Sequence, residues 1–69
     1  VDKTELAATI SLAGTLDELD YTADSWTAFS TSLTSANTVN DDVGATQAQV
    51  NQANTALQSA ILALVPAGG

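Results

Sequence analysis

The chain has no cysteine, no histidine and no methionine, and only one lysine or arginine against eight Asp and Glu, for a formal net charge of -7. Without Cys and His there is no thiol nucleophile, no imidazole base, no disulfide and none of the usual zinc ligands. The same absence leaves the redox compartment open. Scarce positive charge excludes nucleic acid as a partner, because a phosphate-binding surface works by replacing counterions with Lys and Arg. The single cation, Lys3, sits between Asp2 and Glu5 in sequence. No apolar run approaches the roughly 18 residues of a membrane span, and no basic stretch followed by an apolar run opens the chain, so neither a membrane span nor a signal peptide is visible. Aromatic residues number three and proline one. Only carboxylates and hydroxyls remain for chemistry.

What is present is a small amount of apolar material in a regular arrangement. Thirteen of the apolar residues are Ala, so 69 residues carry a core of modest volume and at most one domain. Three segments share one pattern: an apolar residue, a capping residue, two intervening residues, a side chain able to reach back, then another apolar residue. Each is a candidate capping box with a hydrophobic staple. In the first, Asp2 caps, Glu5 reaches back to its amide and Val1 packs on Leu6. In the second, Thr22 caps, Ser25 stands at the third helical position and Tyr21 staples onto Trp26; Ser is short for the returning bond. In the third, Thr46 caps, Gln49 returns and Ala45 faces Val50.

These starts predict helices over residues 3–14, 23–39 and 47–64, and the apolar stripes behind them agree. Leu6, Ile10, Ala13, Leu12 and Leu16 follow the first start. Trp26, Phe29, Leu33, Ala36 and Val39 follow the second, and Val50, Ala53, Leu57, Ala60, Ile61 and Leu64 the third. No comparable segment alternates with period two. Gly14 is placed for a left-handed helix end, and Gly44 marks the turn before the third cap. Either Leu16 or Leu19 is expected to anchor the first connection on the core. Short connections make antiparallel neighbours, so the expected fold is all-α, an up-down-up antiparallel three-helix bundle with its termini at opposite ends. Residues 1–65 form the module, and 66–69, Pro-Ala-Gly-Gly, are expected to be the stub of a flexible linker. The whole is expected to be an excised module. Leu6, Ile10, Trp26, Phe29, Leu33, Val50, Leu57 and Ile61 are the residues expected to hold the bundle.

The stretches VDKTELAATI, LDELDYTADSWTAF and ATQAQVNQANTALQSAILAL, in that order and spacing, resemble the FIVAR modules ("found in various architectures") of extracellular bacterial proteins. The resemblance covers most of the chain. FIVAR modules commonly read Pro where this sequence has Ala23, a loss of a favourable first-turn residue that leaves the Thr22 cap intact. The resemblance implies a three-helix bundle in secreted or cell-wall proteins, chiefly of Gram-positive bacteria, often beside the catalytic modules of glycoside hydrolases. It carries no catalytic motif.

Four constellations could carry chemistry. Asp17, Glu18 and Asp20 supply the carboxylate pair that glycoside hydrolysis needs, but a short bundle loop gives them no cleft to flank. They are expected to solvate the loop and favour the start of helix two. Asn40, Asp41 and Asp42 offer oxygens that calcium accepts, without the alternation or the distant Glu of an EF-hand. Tyr21, Trp26 and Phe29 could stack on sugar rings, but they fall on the staple and core stripe. Finally, all nine charged residues lie in the first 42 positions, and Gln47, Asn51, Gln52, Asn54, Thr55 and Gln58 give helix three an uncharged polar surface that could meet a neighbouring module or a polysaccharide.

No catalytic, cofactor-binding or metal-binding residue is therefore assigned, and no cofactor is expected. The function expected is that of a non-catalytic accessory or spacer module in a secreted, multi-modular glycoside hydrolase. The alternative is a repeat of a cell-wall adhesin that binds a host matrix protein or glycan. In either case the chain is expected to be a monomer, with neighbouring modules of its own chain as partners and no membrane insertion.

Overall fold

The computed structural model describes residues 1–67. Three helices form the bundle: α1 (Thr4–Ala13), α2 (Ala23–Asp41) and α3 (Gln47–Leu62), with one 3-10 turn at Glu18–Asp20 in the first connection. Every pair of helices is in contact, and the chain runs up, down and up through a body 41 × 17 × 15 Å. Leu6, Ala13, Phe29, Ala36, Ala45, Val50 and Leu57 are buried at the centre, with Ile10, Leu16, Trp26, Leu33 and Ile61 packed around them. All eight residues expected to hold the bundle lie in that core. Phe29, Leu6 and Leu57 are its fully buried large side chains, whereas Trp26 is half-buried at its margin.

The three starts differ from one another more than their sequences do. At α3 the capping box closes: Thr46 Oγ1 accepts from the Gln49 amide at 3.2 Å, and Gln49 Oε1 accepts from the Thr46 amide at 2.9 Å. Ala45 and Val50 are both buried beside it, as a staple requires. At α2, Thr22 Oγ1 accepts from the Ser25 amide at 3.4 Å and Tyr21 stacks on Trp26, ring centroids 5.9 Å apart. Ser25 does not reach the Thr22 amide. At α1 the cap position falls on Lys3, and the Asp2 carboxylate accepts from the Thr4 amide at 2.9 Å. Glu5 makes no returning bond, because Gln47 already holds the Asp2 amide, and Val1 stays 73% exposed, too open for a staple on Leu6.

The helix ends also shift from expectation for identifiable reasons. Gly14 has φ -67° and ψ -13°, right-handed rather than left-handed, and α1 closes by tightened turns from Thr15 to Leu12 and Leu16 to Ala13. Leu16 is thereby drawn onto the core, and Leu19 is left 84% exposed. α2 continues to Asp41, two residues beyond expectation, because the Lys3 ammonium bonds the carbonyls of Asn40 and Asp42. α3 stops at Leu62, two residues early: Ala63 still bonds the Ser59 carbonyl, but Leu64 tightens onto that of Ile61.

Along the exposed side of α2, Thr27, Thr31, Thr34 and Thr38 each donate their hydroxyl to the carbonyl four residues back, at 2.9 to 3.1 Å. β-branched side chains crowd the preceding turn and weaken a helix, but here their donors are satisfied within it. One polar residue escaped the periodicity. Thr9 is buried, and its hydroxyl donates towards Asn54 Oδ1 at 2.6 Å with the Glu5 carbonyl at 3.0 Å, joining α1 to α3.

Candidate functional site

The features that stand out are the two ends of the bundle, where the backbone comes in and goes out. At the first end, Gln47 grips the backbone of Asp2 from both sides: its Oε1 accepts from the Asp2 amide at 2.8 Å, and its Nε2 donates to the Asp2 carbonyl at 3.0 Å. Gln47 is itself steadied by Asn51 Oδ1 at 3.0 Å. Beside this, the Lys3 ammonium closes the carbonyl end of α2, donating to Asn40 at 3.0 Å and Asp42 at 2.8 Å. A cation there also meets the negative end of the helix dipole. Asp42 Oδ1 accepts from the Gly44 amide at 2.8 Å, which sets the turn into α3. Of the oxygens considered for calcium, the Asn40 and Asp42 carbonyls and one Asp42 carboxylate oxygen are thus turned towards protein donors, and among the described residues no three carboxylates converge as a metal site would need. Hydrogen bonds from Thr4, chiefly from its amide, hold the Asp2 carboxyl below its ordinary value of 3.8.

At the second end, the backbone after α3 turns back along the first connection. Thr22 donates its amide to the Val65 carbonyl at 2.9 Å, and Ala67 donates to the Asp20 carbonyl at 2.9 Å, with Tyr21 and Pro66 paired antiparallel between them. Ser25 Oγ accepts from the Val65 amide at 3.2 Å and lies 2.8 Å from Thr22 Oγ1. Two of the four residues expected to be linker, Pro66 and Ala67, take part in this pairing; Gly68 and Gly69 lie outside the described residues. The aromatic residues run inward from here, Tyr21 stacked on Trp26 and Trp26 tilted against Phe29 with centroids 4.7 Å apart. Tyr21 thus turns one face to Trp26, and Trp26 and Phe29 pack on each other at the core. Asp17 Oδ1 accepts from the Leu19 amide at 3.0 Å and so caps the 3-10 turn. Glu18 and Asp20 are exposed on that turn.

Between the ends the surface is uncharged. Asp2, Lys3, Glu5, Asp41 and Asp42 belong to the first end and Asp17, Glu18, Asp20 and Asp24 to the second, which accounts for all nine charged side chains. Of the amides expected to face outward from α3, Gln47 is exposed and bonds the backbone of Asp2 just before α1, and Asn54 is half-buried against Thr9 of α1. Gln52 borders an open groove of about 330 Å³ between α2 and α3, with Ser35, Thr38, Gln49, Val39 and Ala53 among its other walls. Gln58 borders a smaller apolar depression of about 240 Å³ with Leu12, Ile61 and Leu62. Neither concavity holds a catalytic pairing of side chains.

The chain belongs to the FIVAR domain family, whose signature matches residues 2–65. It is 49% identical over 65 residues to "Polysaccharide lyase 8 family protein HylA" of Enterococcus faecalis, a match that covers 94% of this chain and 5% of that protein. It is 48% identical over 61 residues to "Lacto-N-biosidase" of Bifidobacterium longum, covering 88% of this chain and 4% of that protein. The chain therefore spans about one twentieth of the length of these curated relatives. No solved structure matches it.

The roles of Gln47, Ser25 and the Val65–Ala67 segment were not read from the sequence. One signal was available: Pro66 requires extended backbone before it, and an extended residue just past a helix end needs a partner for its amide. Nothing local marks Gln47, because its partner is 45 residues away.

Proposed function

We propose that this chain is a non-catalytic spacer module of a secreted, multi-modular carbohydrate-active enzyme, a lyase or glycosidase, where it holds neighbouring modules at a set distance. The observation that carries this is the position of the two backbone attachments. The chain comes in at one end of a 41 Å body and goes out at the other, and it is hydrogen-bonded to the bundle at both places. A body held in this way transmits position from one neighbour to the next with little slack. Family membership and the small share of each relative that the chain covers support an accessory role, and the relatives' printed activities support a carbohydrate-active parent. The module acts as a monomer, and its contacts are with the modules on either side of it, outside the cell or at the cell wall.

The test is replacement within the full-length protein. Deleting the module should leave turnover of a small soluble substrate unchanged and reduce action on a polymeric or surface-bound one. An unrelated three-helix bundle of the same length should restore the loss. If it does not, while the native module does, a specific contact and not the distance is what matters, and the spacer role fails.

A further inference from the structure

The segment after α3 has the features of a device that opens and closes separately from the bundle. It lies outside every helix, Val65 is 51% exposed, and Pro66 and Ala67 are exposed, so none of its side chains belongs to the buried core. What holds it is a set of hydrogen bonds on adjacent residues: Thr22 to the Val65 carbonyl, Ala67 to the Asp20 carbonyl and Val65 to Ser25 Oγ. The opposed residues Tyr21 and Pro66 form the non-hydrogen-bonded pair of an antiparallel bridge, flanked on both sides by a bond. Proline is suited to that place. It has no amide to leave unpaired there, and its fixed φ ties the orientation of Val65 to that of Ala67, so the bonds form and break together.

Two energy scales meet at this joint. The bundle opens only when Phe29, Leu6 and Leu57 lose their burial, whereas the segment opens when a few solvent-accessible hydrogen bonds are exchanged for water. We propose that residues 65–67 act as a latch that opens as one unit without unfolding the bundle, and that the closed latch fixes the direction in which the chain leaves the module. Closed, residues 65–67 lie antiparallel to residues 20–22 and the joint is stiff. Open, everything beyond Leu64 swivels. The proposal deepens the spacer role and depends on it only for its use, since the latch is a property of the isolated chain.

Amide hydrogen exchange by NMR on the chain tests it. The amides of Thr22, Val65 and Ala67 should share one protection, about tenfold or more above the unprotected rate and well below that of Leu57 in the core. Ala67→Pro removes one donor without touching the core; it should abolish the protection of Thr22 and Val65 and leave that of Leu57 unchanged. Equal protection of the three amides and Leu57 would overturn the proposal by making the segment part of the bundle's own cooperative unit. An unprotected Ala67 would overturn it by removing the latch, and so would a Thr22 amide indifferent to Ala67→Pro. The direction of exit is read separately from spin labels on Val43→Cys and Ala67→Cys, two exposed sites in a chain without other thiols. One narrow distance distribution is expected, and a broad one overturns the fixed exit. Neither result bears on the replacement experiment, so the two ideas fail separately.

Discussion

The two ends of the bundle hold their backbone by different means. At the first end, side chains do it: the Gln47 amide brackets Asp2, and the Lys3 ammonium closes α2. At the second, backbone meets backbone across Tyr21 and Pro66, supported by the Tyr21–Trp26 stack. The first end is therefore open to attack by changing side chains, and the second chiefly by removing an amide. Both make use of the same vacancy. A residue at a helix start whose amide is not taken by a returning side chain has a donor to offer, and Asp2, just before the cap of α1, gives its own to Gln47 while Thr22, the cap of α2, gives its own to Val65. Thr46, whose amide is taken by Gln49 within its own box, has no such donor to offer.

That contrast can be tested by substitutions of decreasing effect. Phe29→Ala sets the baseline, since it empties the centre shared by both ends; it should cost about 3 to 5 kcal/mol, enough to unfold a chain of this size. A urea melt little changed by it would mean that the core lies elsewhere. Trp26→Ala should cost less, about 2 kcal/mol, because Trp26 is half-buried and loses chiefly its contacts with Tyr21 and Phe29. Its exchange signature should be a weakened second end with Gln47 and Asp2 undisturbed. Gln47→Ala and Lys3→Met should each cost about 1 kcal/mol and act on the first end alone. Only the Lys3 effect should shrink in molar salt, so equal salt dependence of the two would contradict a charge-based closure of α2.

Gly14→Ala should be stabilising, by about 0.4 to 1 kcal/mol, because the glycine is right-handed and an added Cβ meets the Ser11 carbonyl at an ordinary 3.4 Å. A destabilised variant would restore the left-handed end expected from sequence. The smallest effect concerns acid. With its folded pKa lowered, Asp2 contributes stability that is present above the ordinary 3.8 and is lost as pH falls through the lower folded value. Asp2→Asn should remove that part of the acid limb of a pH titration of stability, and an unchanged limb would assign it to other carboxylates.

How much of this was legible depends on how far each bond reaches along the chain. The starts of α2 and α3 fall where Thr22 and Thr46 predict them, because a cap and its partner lie three residues apart. The core stripe is equally local in origin, and Phe29, Leu6 and Leu57 lie where a period of 3.6 puts them. α2 outruns its expected end for a non-local reason, since Lys3 closes it from 37 residues away, whereas α3 falls short through a local tightening of Leu64 onto the Ile61 carbonyl. The burial of Thr9 is not marked by any neighbour in sequence, and Asn54 on another helix explains it. At the candidate site the residue types were visible, but the partnership of Gln47 with Asp2 depends on the bundle being assembled first.

The placing of charge at the two ends has a consequence for crowds of such modules. Ions at physiological strength screen charge beyond roughly 8 to 10 Å, so two acidic tips separated by a 41 Å body hardly sense each other within one molecule. Between molecules, or between consecutive copies on one chain, tips that approach repel while neutral flanks that approach do not. Strings of these modules should resist end-to-end collapse and tolerate lying side by side, a preference for bristles over coils that strengthens as the medium becomes more dilute in salt.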